Sequence, residues 1–200
     1  MTDKHAYFSQ MYGANDDPYS VRTRWYEQRK RALLMASLPR PRYRRAYEPG
    51  CGVGELTVDL AARCDMVLAA DFSAQAVHMT RQRTGGLNHV QVERQTLPQD
   101  WPRDALAFDL IVLSEVAYFL DEERVRELAR CCGRSLVADG TLVACDWRPD
   151  FDERASSTRT VHDALSSLGL ARLVLHEEAD FVLQVWCGDE RSVAQREGIR

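Results

Sequence analysis

The sequence predicts a doubly wound α/β domain: seven strands in a mostly parallel sheet, an antiparallel pair at the end, and a short helical N-terminal cap. Three observations lead there. From Pro41 onward, apolar strand-length runs alternate with helix-length segments, the pattern of a sheet covered on both faces. Phe108-Asp-Leu-Ile-Val-Leu-Ser114 is almost unbroken in apolarity, as a central strand buried on both faces requires. The last two apolar runs, 172–176 and 181–187, are joined by a link too short for a crossover and must pair antiparallel.

The elements follow in order. Residues 1–43 form the cap. Asp16-Asp17-Pro18 is a turn signal, and 20–38 is helical, with Trp25, Arg29, Leu33 and Leu34 at helical spacing. Pro39 and Pro41 stop that helix. The core spans 44–187. Its strands are 45–48, 66–71, 90–93, 108–114, 141–146, 172–176 and 181–187, and its helices are 55–63, 74–83, 122–136 and 158–168. Gly85-Gly86 and Gly169 act as helix stops. The polar residues 188–200 read as a fraying tail.

Two hundred residues fit one domain with a sizeable core. The net charge of −4 argues against a nucleic-acid partner. Basic residues are almost all arginine, with Lys4 and Lys30 the two lysines. The densest basic stretch, Arg40-Pro-Arg-Tyr-Arg-Arg45, reads as a solvated interdomain loop. No apolar run approaches membrane-spanning length, and Met1-Thr-Asp-Lys-His lacks a signal peptide's apolar core. Cys51, Cys64, Cys131, Cys132, Cys145 and Cys187 show no metal-ligand spacing and read as reduced thiols in cytosol. The expectation is a cytoplasmic protein with no metal. Oligomeric state is not legible.

The most informative stretch is Glu48-Pro-Gly-Cys-Gly-Val-Gly54, between the first strand and its helix. Glycines let the backbone approach a ligand where a Cβ would clash, and the next helix start presents free N–H groups. Asp71 ends the second strand, placed to accept hydrogen bonds from ribose hydroxyls or else to cap the next helix, a task Ser73 performs equally well. The pair points to a nucleotide-bearing cofactor. The dinucleotide fingerprint fits at Gly50 and Gly52 but meets Glu55 in its third slot, where a carboxylate opposes a pyrophosphate.

The spacing Glu-x-Gly-x-Gly-x-Gly instead resembles motif I of class I S-adenosylmethionine (SAM) methyltransferases, and the terminal strand pair resembles their Rossmann-like fold. The match narrows further along the chain. Phe108-Asp-Leu-Ile-Val-Leu-Ser-Glu-Val-Ala-Tyr-Phe-Leu120, Asp16-Asp-Pro-Tyr19, Tyr26-Glu-Gln-Arg29 and Glu48-Pro-Gly-Cys51 resemble the NodS-like methyltransferases. The resemblance covers residues 15–186. It implies SAM as cofactor, S-adenosylhomocysteine (SAH) as product, and a small-molecule amine acceptor, an amino sugar in relatives that modify deacetylated chitooligosaccharides. Where the family often places Asp to bind the adenine amino group, this chain has Thr96, with the backbone of Leu97 beside it.

In such a fold ligands sit outside the carboxyl ends of the strands, which selects Glu48, Asp71, Thr96, Ser114, Glu115 and Asp146. Gly50, Gly52, Gly54, Phe72 and Leu97 join the expected cofactor contacts, with Trp25 and Arg29 from the cap. Arg29 reads either as a clamp for the methionine carboxylate or as a surface partner of Glu27 or Asp17. Trp25, Tyr26, Tyr118 and Phe119 either wall the pocket or pack the core. Glu115 is the sharpest catalytic candidate, orienting an amine and accepting its N–H, against a plain helix-start Glu. His162 reads as a base for a hydroxyl or as part of a helix face, and His5 as a weaker alternative. Arg148 meets the substrate or ends a strand in water. N-methylation leads; O-methylation and non-catalytic SAM binding are the alternatives, and Glu55 disfavours a dehydrogenase.

Overall fold

A computed structural model describes residues 8, 11, 12, 15, 17–102 and 107–200; Lys4, His5 and Asp16 lie outside them. The chain runs through α1 (Trp25–Ser37), β1 (Tyr43–Pro49), α2 (Glu55–Ala61), β2 (Cys64–Asp71), α3 (Ala74–Thr84) and β3 (Val90–Arg94). It continues through β4 (Phe108–Ser114), a 3₁₀ turn (Ala117–Phe119), α4 (Glu122–Ser135), β5 (Leu136–Trp147), α5 (Thr158–Ser166), β6 (Ala171–Glu177), β7 (Phe181–Cys187) and α6 (Val193–Arg196).

The strands form one sheet in the order β3-β2-β1-β4-β5-β7-β6. β1 to β5 run parallel, and β7 runs antiparallel to both β5 and β6. The order reverses between β1 and β4, so their carboxyl ends open the crevice where this architecture takes ligands. The alternation of side chains along β4 feeds two cores. Ile111 and Leu113 join Tyr47, Phe108, Leu128, Leu142, Val161 and Trp186 beneath α4 and α5. Leu110 and Val112 join Leu34, Leu60, Val143, Phe181 and Val185 beneath α1 and α2.

Helix α1 is therefore part of the sheet's packing, with Leu34 and Leu38 buried in the second core. The part of the cap that covers the glycine loop is the stretch before it. Phe8 and Tyr12 cluster with Val53, Ala76 and Met79, and Val21 packs against them. The helix starts at Trp25, later than its periodicity suggests, because 17–24 form turns tied to the Asp17 carboxylate through the Val21 and Arg22 amides.

The arginine-rich 40–45 stretch is not a loop between domains. Tyr43, Arg44 and Arg45 open β1, and the Arg44 and Arg45 amides donate to Asp109 of β4. Arg40 pairs with Asp139 and Arg42 with Asp65. The tail also differs from expectation. Residues 193–196 form a helical turn, closed by a reciprocal cap between Ser192 and Gln195 and held by Arg196 bonds to Asp189. Among the described residues no helix is long and apolar enough to cross a membrane.

Candidate active site

The loop after β1 is built from left-handed glycines. Gly50, Gly52 and Gly54 have φ of 80°, 55° and 81°, where residues with a Cβ are strained. Space forbids a side chain as well. A Cβ on Gly50 would lie 2.7 Å from Val116 Cγ2, and one on Gly54 2.9 Å from Thr80 Cγ2. The Gly50 and Cys51 amides donate to the Ala70 carbonyl, stitching the loop to β2. Thr80 of α3 donates to the Gly52 carbonyl.

Two buried carboxylates flank this loop. Glu48 accepts from Thr57 Oγ1 at 2.6 Å, and burial lifts its pKa to about 8 against that hydrogen bond. Asp71 accepts from the Gly52 amide at 3.1 Å and the Ser73 amide at 2.9 Å. Burial raises its pKa to about 6, opposed by those two bonds and one from Phe72. The capping of α3 falls to Ser73, whose hydroxyl accepts from Ala76 N. This frees Asp71's remaining lone pairs for a ligand. Phe72 stands beside it, edge-on to Phe8, which is edge-on to Phe119 in turn.

Thr96 follows β3, half-buried, with its amide on Asp100 Oδ2 and its carbonyl accepting the Asp100 amide. Leu97 is buried in the core beneath α4. Ser114 ends β4 opposite Cys145.

Glu115 follows at φ 57°, a left-handed residue that is not glycine. Its carboxylate accepts from Lys30 Nζ at 2.7 Å, Tyr118 Oη at 2.5 Å and the Trp147 amide at 3.0 Å. Lys30 also meets Glu27 at 3.1 Å and lies over the Tyr26 ring. Burial pulls the Lys30 pKa down, but Glu115 and Glu27 outweigh it and hold the ammonium above its ordinary range. Burial, then Glu115, pushes the Tyr118 phenol up, so it stays a donor. Arg154 stacks over Tyr118 and Phe151, and its guanidinium holds the Trp147 and Pro149 carbonyls.

Three expected residues lie elsewhere. Arg29 makes a two-pronged pair with Glu178, at 2.6 and 2.9 Å, in the β6–β7 link. That link is three strands from β1, so Arg29 meets neither the glycine loop nor the expected Glu27 or Asp17. Trp25 is 73% exposed at the start of α1. His162 is 5% exposed, on the α5 face turned to the sheet, with Nε2 3.1 Å from Asp146 Oδ2 and its ring against Trp186. Arg148 is a strand-end charge, paired with Glu177.

Glu55, the residue that broke the dinucleotide fingerprint, pairs with Arg83 at 2.7 Å and lies near Arg22 and Arg31. It ties the cap to α2 and α3. Sequence reasoning missed Lys30, Thr57, Thr80 and Tyr12 as parts of the site. Lys30 left one signal: it is one of two lysines in a chain otherwise served by arginine.

The family Nodulation protein S (NodS) matches residues 4–163. The chain belongs to the NodS family. Nodulation protein S of Bradyrhizobium diazoefficiens is 30% identical over 148 residues, 70% of this chain and 68% of that protein. The matched stretch spans between half and about two thirds of the curated NodS relatives. The N-methyltransferase NodS from Bradyrhizobium japonicum WM9, solved with SAH, superposes with a TM-score of 0.81 at 25% identity, over 92% of this chain and 98% of that one. A Pseudomonas syringae protein assigned as a methyltransferase is 47% identical, with a TM-score of 0.73 over 82% and 99%.

This NodS-family chain is thus a class I, SAM-dependent methyltransferase, with the fold and cofactor its sequence resembles. Its own residues fit that cofactor: three left-handed glycines, two of them with no room for a Cβ, and a buried carboxylate at the end of β2.

Proposed function

We propose that this chain moves the methyl group of SAM to the nitrogen of a small-molecule amine, with an amino sugar as the acceptor class. The observation that carries the reading is the contrast between Glu115 and His162. A fixed carboxylate stands at the carboxyl edge of β4, while the imidazole needed to deprotonate a hydroxyl is buried against Asp146. The N-methyltransferase NodS from Bradyrhizobium japonicum WM9 supports the same choice.

Bound SAM supplies a methyl carbon already activated by its sulfonium. The protein then has to hold the donor, seat the acceptor nitrogen and keep water out. Asp71 would hold the ribose, Gly50, Gly52 and Gly54 would admit the donor close to the backbone, and Thr96 and Leu97 would serve the adenine. Glu48, Phe72 and Ser114 would support that side of the site. Glu115 draws in the acceptor as an ammonium, which sheds its proton to solvent. The neutral nitrogen's lone pair forms the new C–N bond as the C–S bond breaks toward sulfur. An amine needs only to be neutral, so no strong base is required.

The described residues act as one domain, whose core opens with β1 at Tyr43 and takes in Leu34 of α1. Its partner is a small molecule and not a nucleic acid, and its six free, buried cysteines suit the cytoplasm.

Paired variants test the reading. Glu115→Gln lowers kcat/KM for an amine by about 10- to 100-fold, the worth of a charged hydrogen-bond partner, with SAM affinity intact. His162→Gln loses stability while its kcat/KM stays within about threefold, as expected of a structural contact. A large kcat loss in the folded His162→Gln protein, with Glu115→Gln unchanged, would overturn it.

A further inference from the structure

The Lys30–Glu115 pair asks for an explanation that stability does not supply. Lys30 is 5% exposed, and taking a lysine and a glutamate out of water seldom stabilises a fold more than an apolar pair of the same volume. Glu115 also carries a left-handed backbone, a conformation that persists in residues with a Cβ where the surroundings enforce it and that clusters at functional sites. Both costs fall on one carboxylate, at the edge of the sheet where ligands bind.

Three elements converge on that carboxylate. Lys30 comes from α1 and takes Oε1; Tyr118 from the 3₁₀ turn and the Trp147 amide from β5 share Oε2. With donors on both oxygens, the group is held in one orientation. It serves as a fixed anion. Lys30 is shared with Glu27, whose oxygens lie 3.1 and 3.3 Å from Nζ. One ammonium against two carboxylates leaves the cluster one negative charge. Tyr26, on the same turn, borders it with its ring, and among the described residues its buried hydroxyl has no hydrogen-bond partner. One net negative charge beside a hydroxyl left unbonded suits a single small cation that also carries hydrogen-bonding groups.

We propose that Lys30 is a positioning residue for the acceptor: it fixes the Glu115 carboxylate, and the charge left by the Lys30–Glu27–Glu115 cluster selects a cationic amine over a neutral acceptor. This rests on the reading of Glu115 given above. Lys30 does not touch the reacting atoms; it acts through Glu115.

A double-mutant cycle on the full chain separates the two claims, with glucosamine as the probe acceptor and calorimetry for SAM binding. Lys30→Met raises KM for the amine at least about 10-fold, a loss typical of a charged contact, and leaves the SAM Kd within about twofold. Lys30→Arg restores most of the loss, which a packing role would not. In the Glu115→Gln background, Lys30→Met adds less than about twofold, because the residue it positions is gone. If Lys30→Met alone fails to fold, Lys30→Gln takes its place in both backgrounds of the cycle. A KM unchanged by Lys30→Met, or a full loss repeated in the Glu115→Gln background, overturns the proposal. If Glu115→Gln itself leaves kcat/KM untouched, the functional reading fails instead.

Discussion

Lys30 Nζ lies 2.7 Å from Glu115 Oε1, across a sequence separation of 85 residues. The contact joins the helix that precedes the sheet to the end of its central strand. It brings α1 to the proposed acceptor carboxylate, although the same helix also buries Leu34 in the core. Glu115 is accordingly an anchored anion whose neighbours decide what it meets.

Asp71 is the test of the donor side. Asp71→Asn keeps the shape but removes the charge at the end of β2, so SAM affinity falls about 10- to 100-fold, the scale of a hydrogen bond to a charged group. Thermal stability also falls, because Gly52 and Ser73 donate to different oxygens of Asp71 and an amide keeps one acceptor. Calorimetric titration with SAM and SAH reads the effect directly.

The buried carboxylates predict how stability follows pH without ligand. Glu48 has a folded pKa of about 8 against an ordinary 4.5. Between these values the folded chain keeps a proton that the unfolded chain has lost. Its contribution is therefore complete below pH 4.5 and is lost as pH rises toward 8, with a slope up to about 1.4 kcal/mol per pH unit. Asp71 acts in the same sense between 3.8 and about 6. Glu48→Gln removes the first contribution. Urea unfolding of the two proteins is expected to diverge from pH 6 to 8, the variant holding its stability while the parent declines.

Arg29 supplies a negative control. Its partner is Glu178, which Arg29 and His176 hold at a pKa of about 2. Arg29→Ala therefore leaves SAM affinity within about twofold and costs little stability, since exposed pairs contribute little. A large loss of SAM binding would return Arg29 to the cofactor site.

The contrast between Arg29 and the glycine loop shows where sequence reading reaches. The loop is local: its three glycines, Glu48 and Glu55 lie within eight residues, and their spacing reports a backbone shape directly. The unbroken apolarity of Phe108–Ser114 likewise reports its own burial. Arg29 and Glu178 are 149 positions apart, so the partner that decides Arg29's role is invisible until the sheet order is known. His162 fails for another reason. Its spacing places it on a helix, but Val161 and Leu165 turn that face to the sheet, and Asp146 below it takes the imidazole. The arginines at 44 and 45 misled because charge suggested solvent, whereas their backbone amides are claimed by Asp109.

The central claim is that nitrogen takes the methyl group. The direct measurement uses SAM labelled with ¹³C in its methyl group and compares glucosamine with N-acetylglucosamine, the same sugar with its amine free or blocked. NMR of the product is expected to show the label as an N-methyl signal with glucosamine and no transfer with the acetylated sugar. Equal labelling of both sugars, with the carbon on oxygen, would contradict the account.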